Sequence, residues 1–143
     1  MSARADAPKH NFGAVSGNFN GATADTVKAG TQLDTGRVLP GSLSAIVSVD
    51  CETNTMTMTA KWQVSKDGTT WVDTALANNA ANVTLATGTG SADATVTKAI
   101  VAPDAVFGWE YARLVIVNGV VTGNAVDTYS IGYCYRDLDS ATF

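Results

Sequence analysis

The chain has 143 residues and a formal net charge of −4; 15% of its residues are charged and 45% are hydrophobic. This length is typical of one domain, and the composition excludes a disordered chain, which combines low hydrophobicity with high charge. Nine lysines and arginines in an acidic chain cannot neutralise many phosphates, so we expect no nucleic-acid partner.

The first segment, residues 1–42, differs in composition from the rest of the chain. It holds six of the 13 glycines and two of the three prolines, and its only aromatic residues are Phe12 and Phe19. It has no apolar stretch of the kind found in signal peptides, and the chain lacks the roughly 20 apolar residues of a membrane span. We therefore expect a protein made in a cytoplasm, without a membrane partner. Residues 1–42 are interpreted as an extended N-terminal arm with one or two short strands, of which Val27–Leu33 is the best candidate.

Residues 43–143 are predicted to form the packed body, because apolar and polar residues alternate along them. Residues 56–65 give the clearest strand, whose apolar face is formed by Met56, Met58, Ala60, Trp62 and Val64. This period of two is typical of a half-buried strand. Lys66-Asp67-Gly68 then predicts a hairpin turn in which Gly68 supplies the positive φ, and residues 69–74 return as its partner strand.

Further strands are predicted in chain order at residues 43–49, 83–87, 94–101, 109–117 and 126–136. Residues 75–82 are left as a loop or one helical turn. The strand at 109–117 is apolar on both faces in its second half, which indicates a central position in a sheet. About seven to nine strands with regular turn signals and no convincing helix predict an all-β antiparallel sandwich or small barrel.

The side chains needed for catalysis are scarce. The single histidine, His10, lies in the arm, where it is a poor general base. Of the two glutamates, Glu52 and Glu110, the second is expected to pair with Arg113 or Lys61 rather than to act as one of two catalytic carboxylates. We therefore predict that the chain is not an enzyme and holds no cofactor.

Metal binding is weakly indicated. Asp137 and Asp139, with Asp50 or Glu52, offer oxygen ligands for calcium, but their spacing matches no recognised loop. Zinc lacks the Cys and His ligands that it needs, so no metal site is predicted.

Aromatic residues leave several interpretations open. Trp62 is expected in the core, whereas Trp71, Trp109 and Tyr133 are the residues that would form a platform for a glycan. Tyr129, Tyr133 and Tyr135 share one face of the last strand, which is consistent with core, a protein interface or a glycan platform. Cys51 and Cys134 are expected as separate thiols in a reducing compartment, although pairing is not decided.

Two stretches carry a resemblance to known proteins. The stretch 62–73, Trp-Gln-Val-Ser-Lys-Asp-Gly-Thr-Thr-Trp-Val-Asp, resembles hairpins of discoidin-like and other carbohydrate-binding sandwiches, and of structural proteins of tailed bacteriophages. Residues 111–119 are similar to the strand that follows in such modules. Residues 27–33 resemble short segments of phage head decoration proteins. The resemblance implies a β-sandwich, jelly-roll or immunoglobulin-like, and carries no catalytic residues.

The function that this resemblance implies is a virion structural protein, in the first place a capsid decoration (cement) protein on the head exterior. Its expected partners are the major capsid protein and copies of itself, as a homotrimer. The expected contact residues are Phe12, Phe19, Val27, Leu33, Tyr129, Tyr133, Tyr135 and Phe143. A tail, neck or baseplate protein and a carbohydrate-binding module remain alternatives.

Overall fold

The computed structural model describes residues 9–21, 26–51, 57–74, 83–87, 94–118 and 127–138. Ten β-strands lie within these ranges. They are β1 (Lys9–Asn18), β2 (Val27–Ala29), β3 (Leu33–Asp34), β4 (Ser44–Cys51), β5 (Thr57–Ser65), β6 (Trp71–Asp73), β7 (Val83–Thr87), β8 (Ala94–Val101), β9 (Tyr111–Asn118) and β10 (Thr128–Arg136). Short 3-10 turns at Thr35–Arg37 and Asp104–Gly108 complete the described elements.

The strands form two antiparallel sheets. Sheet 1 has the order β1-β10-β4-β8, and sheet 2 has the order β2-β9-β5-β6, with β3 also beside β9 and β7 also beside β5. Strands β2 and β3 can be counted as one interrupted strand, and so can β6 and β7. The pairs are then nested: β1 pairs with β10, β2/β3 with β9, β4 with β8, and β5 with β6/β7. This nested pairing is a jelly roll. The predicted β-sandwich is therefore confirmed, and its subtype is the jelly roll.

The core lies between the sheets and follows the alternation in the sequence. In β5, Met58, Ala60, Trp62 and Val64 are all buried. In β4, Ala45, Val47 and Val49 are fully buried, and they face β5 and β9 from the opposite sheet. Burial of apolar surface at about 25 cal/mol per Å² is the main stabilising term of such a two-layer body.

The predicted hairpin between β5 and β6 is present. Gly68 has φ +80°, the left-handed conformation that glycine adopts without strain. The Asp67 carboxylate accepts hydrogen bonds from the amides of Thr69 (2.9 Å) and Thr70 (2.8 Å). These amide donors, that of Thr70 foremost, hold the pKa of Asp67 well below its usual range.

The expectation that residues 1–42 form an arm without its own core contacts is wrong for the part that the structure describes. Strand β1 pairs along its length with β10 of the same chain, and β2 and β3 pair with β9. Phe19 and Leu33 are buried in the common core, 0% and 3% exposed. The physical reason is the topology, because a jelly roll is closed by pairing its first strand with its last.

Tyr133 of β10 crosses the core and reaches sheet 2 at the break between β2 and β3. Its hydroxyl donates to the Thr31 carbonyl (2.8 Å) and accepts from the Leu114 amide (3.0 Å). It thereby replaces a backbone partner that the interrupted edge strand does not supply. Gly30 is required beside it, because a Cβ there would lie 2.6 Å from the hydroxyl. Burial raises the pKa of Tyr133 to about 12.

Two edge strands carry a lysine at a position that faces inward by register. Lys98 of β8 is opposite Val47, and Lys28 of β2 is opposite Ile116, and both partners are fully buried. The Lys98 side chain is nevertheless exposed and that of Lys28 is partly exposed, and a lysine on an edge strand opposes the addition of a further strand. Contacts of this protein through the edges of β8 or β2 are therefore disfavoured.

The two cysteines do not share a disulfide. Cys134 is paired in register with Ser44, whereas Cys51 ends the same eight-residue strand β4 at its other end. Such a strand is roughly 25 Å long, far beyond the Cα separation that a disulfide tolerates.

Candidate functional site

The outer face of sheet 1 is covered by small side chains, and we call it the small-residue face. Its described members are Ala14, Ser16, Asn18, Ser44, Ile46, Ser48, Asp50, Thr95, Thr97, Ala99, Val101, Thr128, Ser130, Gly132 and Cys134. They alternate with the core residues of β1, β4, β8 and β10, which is why the same strands that build the core also present this surface.

Charge is confined to the ends of the small-residue face. Asp50 lies at one end, where it accepts a hydrogen bond from Thr95 (3.2 Å), and Arg136 follows Cys134 at the other. Between them, the hydroxyls of Ser48 and Thr97 bond to each other at 2.9 Å. Hydroxyl pairs of this kind satisfy polar groups within the face, so less hydration is lost when it is covered.

Two exposed apolar side chains stand on this face. Ile46 is 39% exposed and Val101 is 67% exposed. A shallow depression of about 290 Å³ lies beside Ile46 over Gly132, and a second of about 380 Å³ lies near Asp50 over Ser130. The scarcity of charged side chains is a property that this face shares with the buried centre of a protein interface.

The outer face of sheet 2 has a different character, because long polar side chains cover it. Lys61 and Asp73 form a salt bridge of 2.7 Å, and the Gln63 amide donates to Asp73 at 3.0 Å. Arg113 donates from Nε to Gln63 Oε1 at 3.0 Å, and its guanidinium carbon lies 4.3 Å from the Trp71 ring centre. We call these five residues the arginine cluster.

The electrostatics of the arginine cluster follow from these contacts. The hydrogen bond from Lys61 lowers the pKa of Asp73, with a further contribution from Gln63. Partial burial lowers the pKa of Arg113, although a guanidinium stays charged at any physiological pH. The cluster therefore holds one compensated ion pair and one partly desolvated cation.

Most of the predicted contact residues face the protein's own core. Phe19, Leu33 and Tyr133 are buried, which makes their assignment as capsid or subunit contacts wrong. Tyr129 and Tyr135 are partly buried and pack against the core. The tyrosine stripe of β10 is thus a core feature, the first of the three interpretations that the sequence left open.

The other predicted contact residues are placed as follows. Val27 remains exposed at 43% on the outer side of β2. Phe12 lies in β1 opposite Tyr133 in the backbone register. Phe143 lies outside the described residues.

The predicted glycan platform does not assemble. Tyr133 is only 1% exposed and cannot contact a ligand. Trp71 lies in the arginine cluster, whereas Trp109 precedes β9 and lines a separate depression with Lys66 and Glu110. Trp62 lies in the core, as predicted. Its ring stacks on that of Tyr133, with ring centres 5.9 Å apart.

The acidic residues considered as catalytic groups or calcium ligands do not lie together in the described part of the chain. Lys61 pairs with Asp73 and Arg113 with Gln63, so the expected pairing of Glu110 with either cation is wrong. Asp50 and Asp137 lie toward opposite ends of sheet 1, while Glu52 and Asp139 lie outside the described residues. Within the described ranges no three acidic, His or Cys side chains converge as metal ligands. No helix there is long and apolar enough to span a membrane.

The sequence analysis predicted neither the small-residue face nor the arginine cluster, although each has a signal in the sequence. The small-residue face appears at every second position of residues 44–50 and 95–101, where five of the eight residues are Ser, Thr or Ala and the others are Ile46, Asp50 and Val101. The arginine cluster appears as long polar side chains on the polar face of residues 56–65 and on the strands beside it. Which strands lie side by side was the missing information, since alternation specifies a face but not a neighbour.

Comparison with known proteins gives matches at the level of structure. No protein-family model matches the sequence, and no curated protein matches it. The VP2 subviral particle structure of infectious bursal disease virus superposes with a TM-score of 0.51 and 13% identity, covering 93% of this chain and 34% of that chain. The structure of the Gx strain of the same virus gives a TM-score of 0.47 and 12% identity, covering 94% and 34%.

This chain thus spans about a third of the length of the viral chains that it matches. At 13% identity the likeness concerns the fold alone, and it transfers no residue roles. The match does agree with the nested strand pairing described above. The chain therefore has a jelly-roll β-sandwich fold that resembles part of a viral particle protein.

Proposed function

We propose that this chain is a non-enzymatic structural protein of a virion, and that it acts as a decoration (cement) protein on the exterior of the assembled head. Its partners are the major capsid protein and further copies of itself, arranged as a homotrimer at three-fold positions of the shell. The observation that carries the proposal is the small-residue face, an interface-like surface on a jelly roll similar to part of a viral particle protein.

Covering the small-residue face costs little free energy. Ser, Thr, Ala and Gly lose little rotamer freedom when they are buried, and no lysine or glutamate has to be dehydrated between Asp50 and Arg136. A monomer with no partner would be expected to present long charged side chains on an exposed sheet face, as the outer face of sheet 2 does.

The size of the face indicates how it is used. Four strands about 4.8 Å apart and roughly 27 Å long present about 500 Å². A standard stable interface buries about 800 Å² on each partner. A single contact through this face is therefore weak, and stable attachment requires several copies that bind together, as on a repetitive shell. Binding only to the assembled shell stabilises that shell by mass action.

The described strands of the N-terminal arm belong to the body of the jelly roll, so the proposal assigns them no separate role in binding. Strand β1 closes the jelly roll, so deleting it is expected to unfold the body rather than to remove a contact. The contact surface of the proposal is accordingly the small-residue face, not the buried Phe19 and Leu33.

Co-sedimentation with purified particles of the virus that encodes the chain tests the proposal. The variant Ser48→Arg/Ser130→Arg places two charges at adjacent register positions in the centre of the face. We expect it to bind at least tenfold more weakly than the wild type while it still unfolds cooperatively, at a melting temperature lowered by the repulsion of the two opposed charges. The control Thr59→Arg, on the outer side of sheet 2, should bind as the wild type does. Equal binding of the double variant and the control would refute the use of this face.

A further inference from the structure

The geometry points to a second function, binding of a carboxylate-bearing sugar by the arginine cluster on the outer face of sheet 2. It goes beyond the proposed structural role and does not depend on it, because the two surfaces lie on opposite sides of the sandwich. Arg113 would bind the carboxylate, Trp71 would contact the sugar ring, and Asp73 would accept hydrogen bonds from its hydroxyls.

Arg113 has no carboxylate partner among the described residues. Its recorded contacts are the hydrogen bond from Nε to Gln63 and the stacking on Trp71. The nearest acid by register, Asp73, is already engaged by Lys61 and Gln63. Both terminal amino groups of the guanidinium therefore remain for a ligand, in the fork geometry that matches a carboxylate.

The guanidinium is also held in place. Gln63 is nearly buried and is fixed from both sides, since its amide nitrogen donates to Asp73 and its oxygen accepts from Arg113. The indole of Trp71 supports the plane of the guanidinium at 4.3 Å. A donor that is already ordered loses less conformational entropy when a ligand binds.

Partial burial adds a driving force. Burial lowers the pKa of Arg113, which means that its charged form has lost part of its hydration. A partly dehydrated cation without an internal counter-ion gains more from an anion than a fully solvated cation does. A surface arginine with free rotation would offer neither this gain nor the orientation.

The surroundings favour a sugar over a simple anion. Asp73, Gln63 and Arg113 are neighbours in register across β6, β5 and β9, so the row spans about 10 Å between its outer strands. That distance accommodates a pyranose ring together with a carboxylate substituent. The exposed half of Asp73 supplies an acceptor for hydroxyls, and Trp71 supplies an aromatic surface for C–H groups. An acidic side chain of a neighbouring protein would use the arginine alone.

The experiment is a titration of the full chain, labelled with ¹⁵N, with glucuronate, N-acetylneuraminate, glucose and acetate. We expect one of the acidic sugars to shift the Trp71 indole and Arg113 side-chain signals with a Kd in the millimolar range, and glucose to bind at least tenfold more weakly. Arg113→Gln should abolish the shifts and Arg113→Lys should weaken binding at least fivefold. Arg37→Gln, which changes an exposed arginine of the Thr35–Arg37 turn, should change nothing.

Two results would overturn the inference. If acetate binds as tightly as the acidic sugars, the site is a simple anion site, suited to an acidic side chain of a neighbouring protein. If no acidic sugar shifts the Trp71 and Arg113 signals of the wild type, there is no site, and this result does not depend on whether any variant folds. Particle binding by Arg113→Gln separates this inference from the proposed function, because we expect it to equal that of the wild type.

Discussion

The hydroxyl of Tyr133 connects the two sheets, and its removal tests how the jelly roll is closed. In Tyr133→Phe, the ring stays in the core, but the Leu114 amide and the Thr31 carbonyl lose their partner. A net hydrogen bond contributes about 1 kcal/mol, and a buried polar group left unsatisfied costs about 1–3 kcal/mol. We therefore expect the free energy of unfolding to fall by about 2–4 kcal/mol, a large part of the 5–15 kcal/mol typical of a domain.

Urea unfolding measures this loss. The midpoint should move to lower urea while the slope m stays constant, since the surface exposed on unfolding hardly changes. The matched control is Tyr129→Phe on the same strand, where the recorded contact is between rings, with the Phe19 centre 5.2 Å away. We expect the control to change stability by less than about 0.5 kcal/mol. A loss in Tyr133→Phe no larger than in the control would refute the role assigned to the hydroxyl.

The same residue gives a pH dependence with a defined sign. Burial raises the pKa of Tyr133 from its ordinary value of 10.0 to about 12, so the folded state keeps the proton that the unfolded state releases. The resulting stability is complete below about pH 10 and is lost between about pH 10 and 12, by roughly 2.7 kcal/mol for two pKa units. The difference in stability between the wild type and Tyr133→Phe should shrink accordingly in urea titrations across this range; a constant difference would contradict it.

Three further changes have expected outcomes. Gly30→Ala should lower the free energy of unfolding by about 1–3 kcal/mol in urea, because the added Cβ would lie 2.6 Å from the Tyr133 hydroxyl. In the Tyr133→Phe background the loss should be smaller, because that hydroxyl is absent. Equal losses in the two backgrounds would contradict the contact. Asp67→Ala should lower the melting temperature, and the difference should fade as the wild-type carboxylate is protonated in acid, because its pKa is lowered in the fold. Lys98→Val should increase light scattering at equal protein concentration, because it removes the lysine of edge strand β8; unchanged scattering would contradict that role.

Much of the secondary structure could be predicted from local pattern. The strands predicted at residues 83–87 and 94–101 have the bounds that the structure gives to β7 and β8. The apolar run of residues 109–117 correctly predicted a central strand, since β9 lies between β2 and β5. In each case the signal is local, because it is an alternation or a run of apolar residues within the segment itself.

Strand β1 could not be predicted in the same way. Its ten residues include Gly13 and Gly17 and lack a regular apolar face. The strand exists because β10 offers a ladder of backbone partners on both sides of a register shift between Phe12 and Val15, which is a property of the closed topology and not of the segment. The same non-local pairing explains why Phe19 and Leu33 were assigned to contacts with another molecule instead of to the core.

The arginine cluster depends on non-local pairing as well. Arg113 follows Trp71 by more than forty positions in the sequence, and they meet because β5 lies between β6 and β9. Alternation predicted only that Gln63 lies on the polar face of its strand, and it assigned Arg113 to no particular face. It contained no information on which side chains would stack.

Electron cryomicroscopy of purified particles of the virus that encodes this chain tests the proposed function most directly. We expect a jelly roll bound to the outside of the head shell, with Ile46, Ser48 and Ser130 of the small-residue face turned toward a neighbouring subunit. Purified particles that lack the chain, or a chain attached to the tail, or a chain on the head whose small-residue face points to solvent, would contradict it.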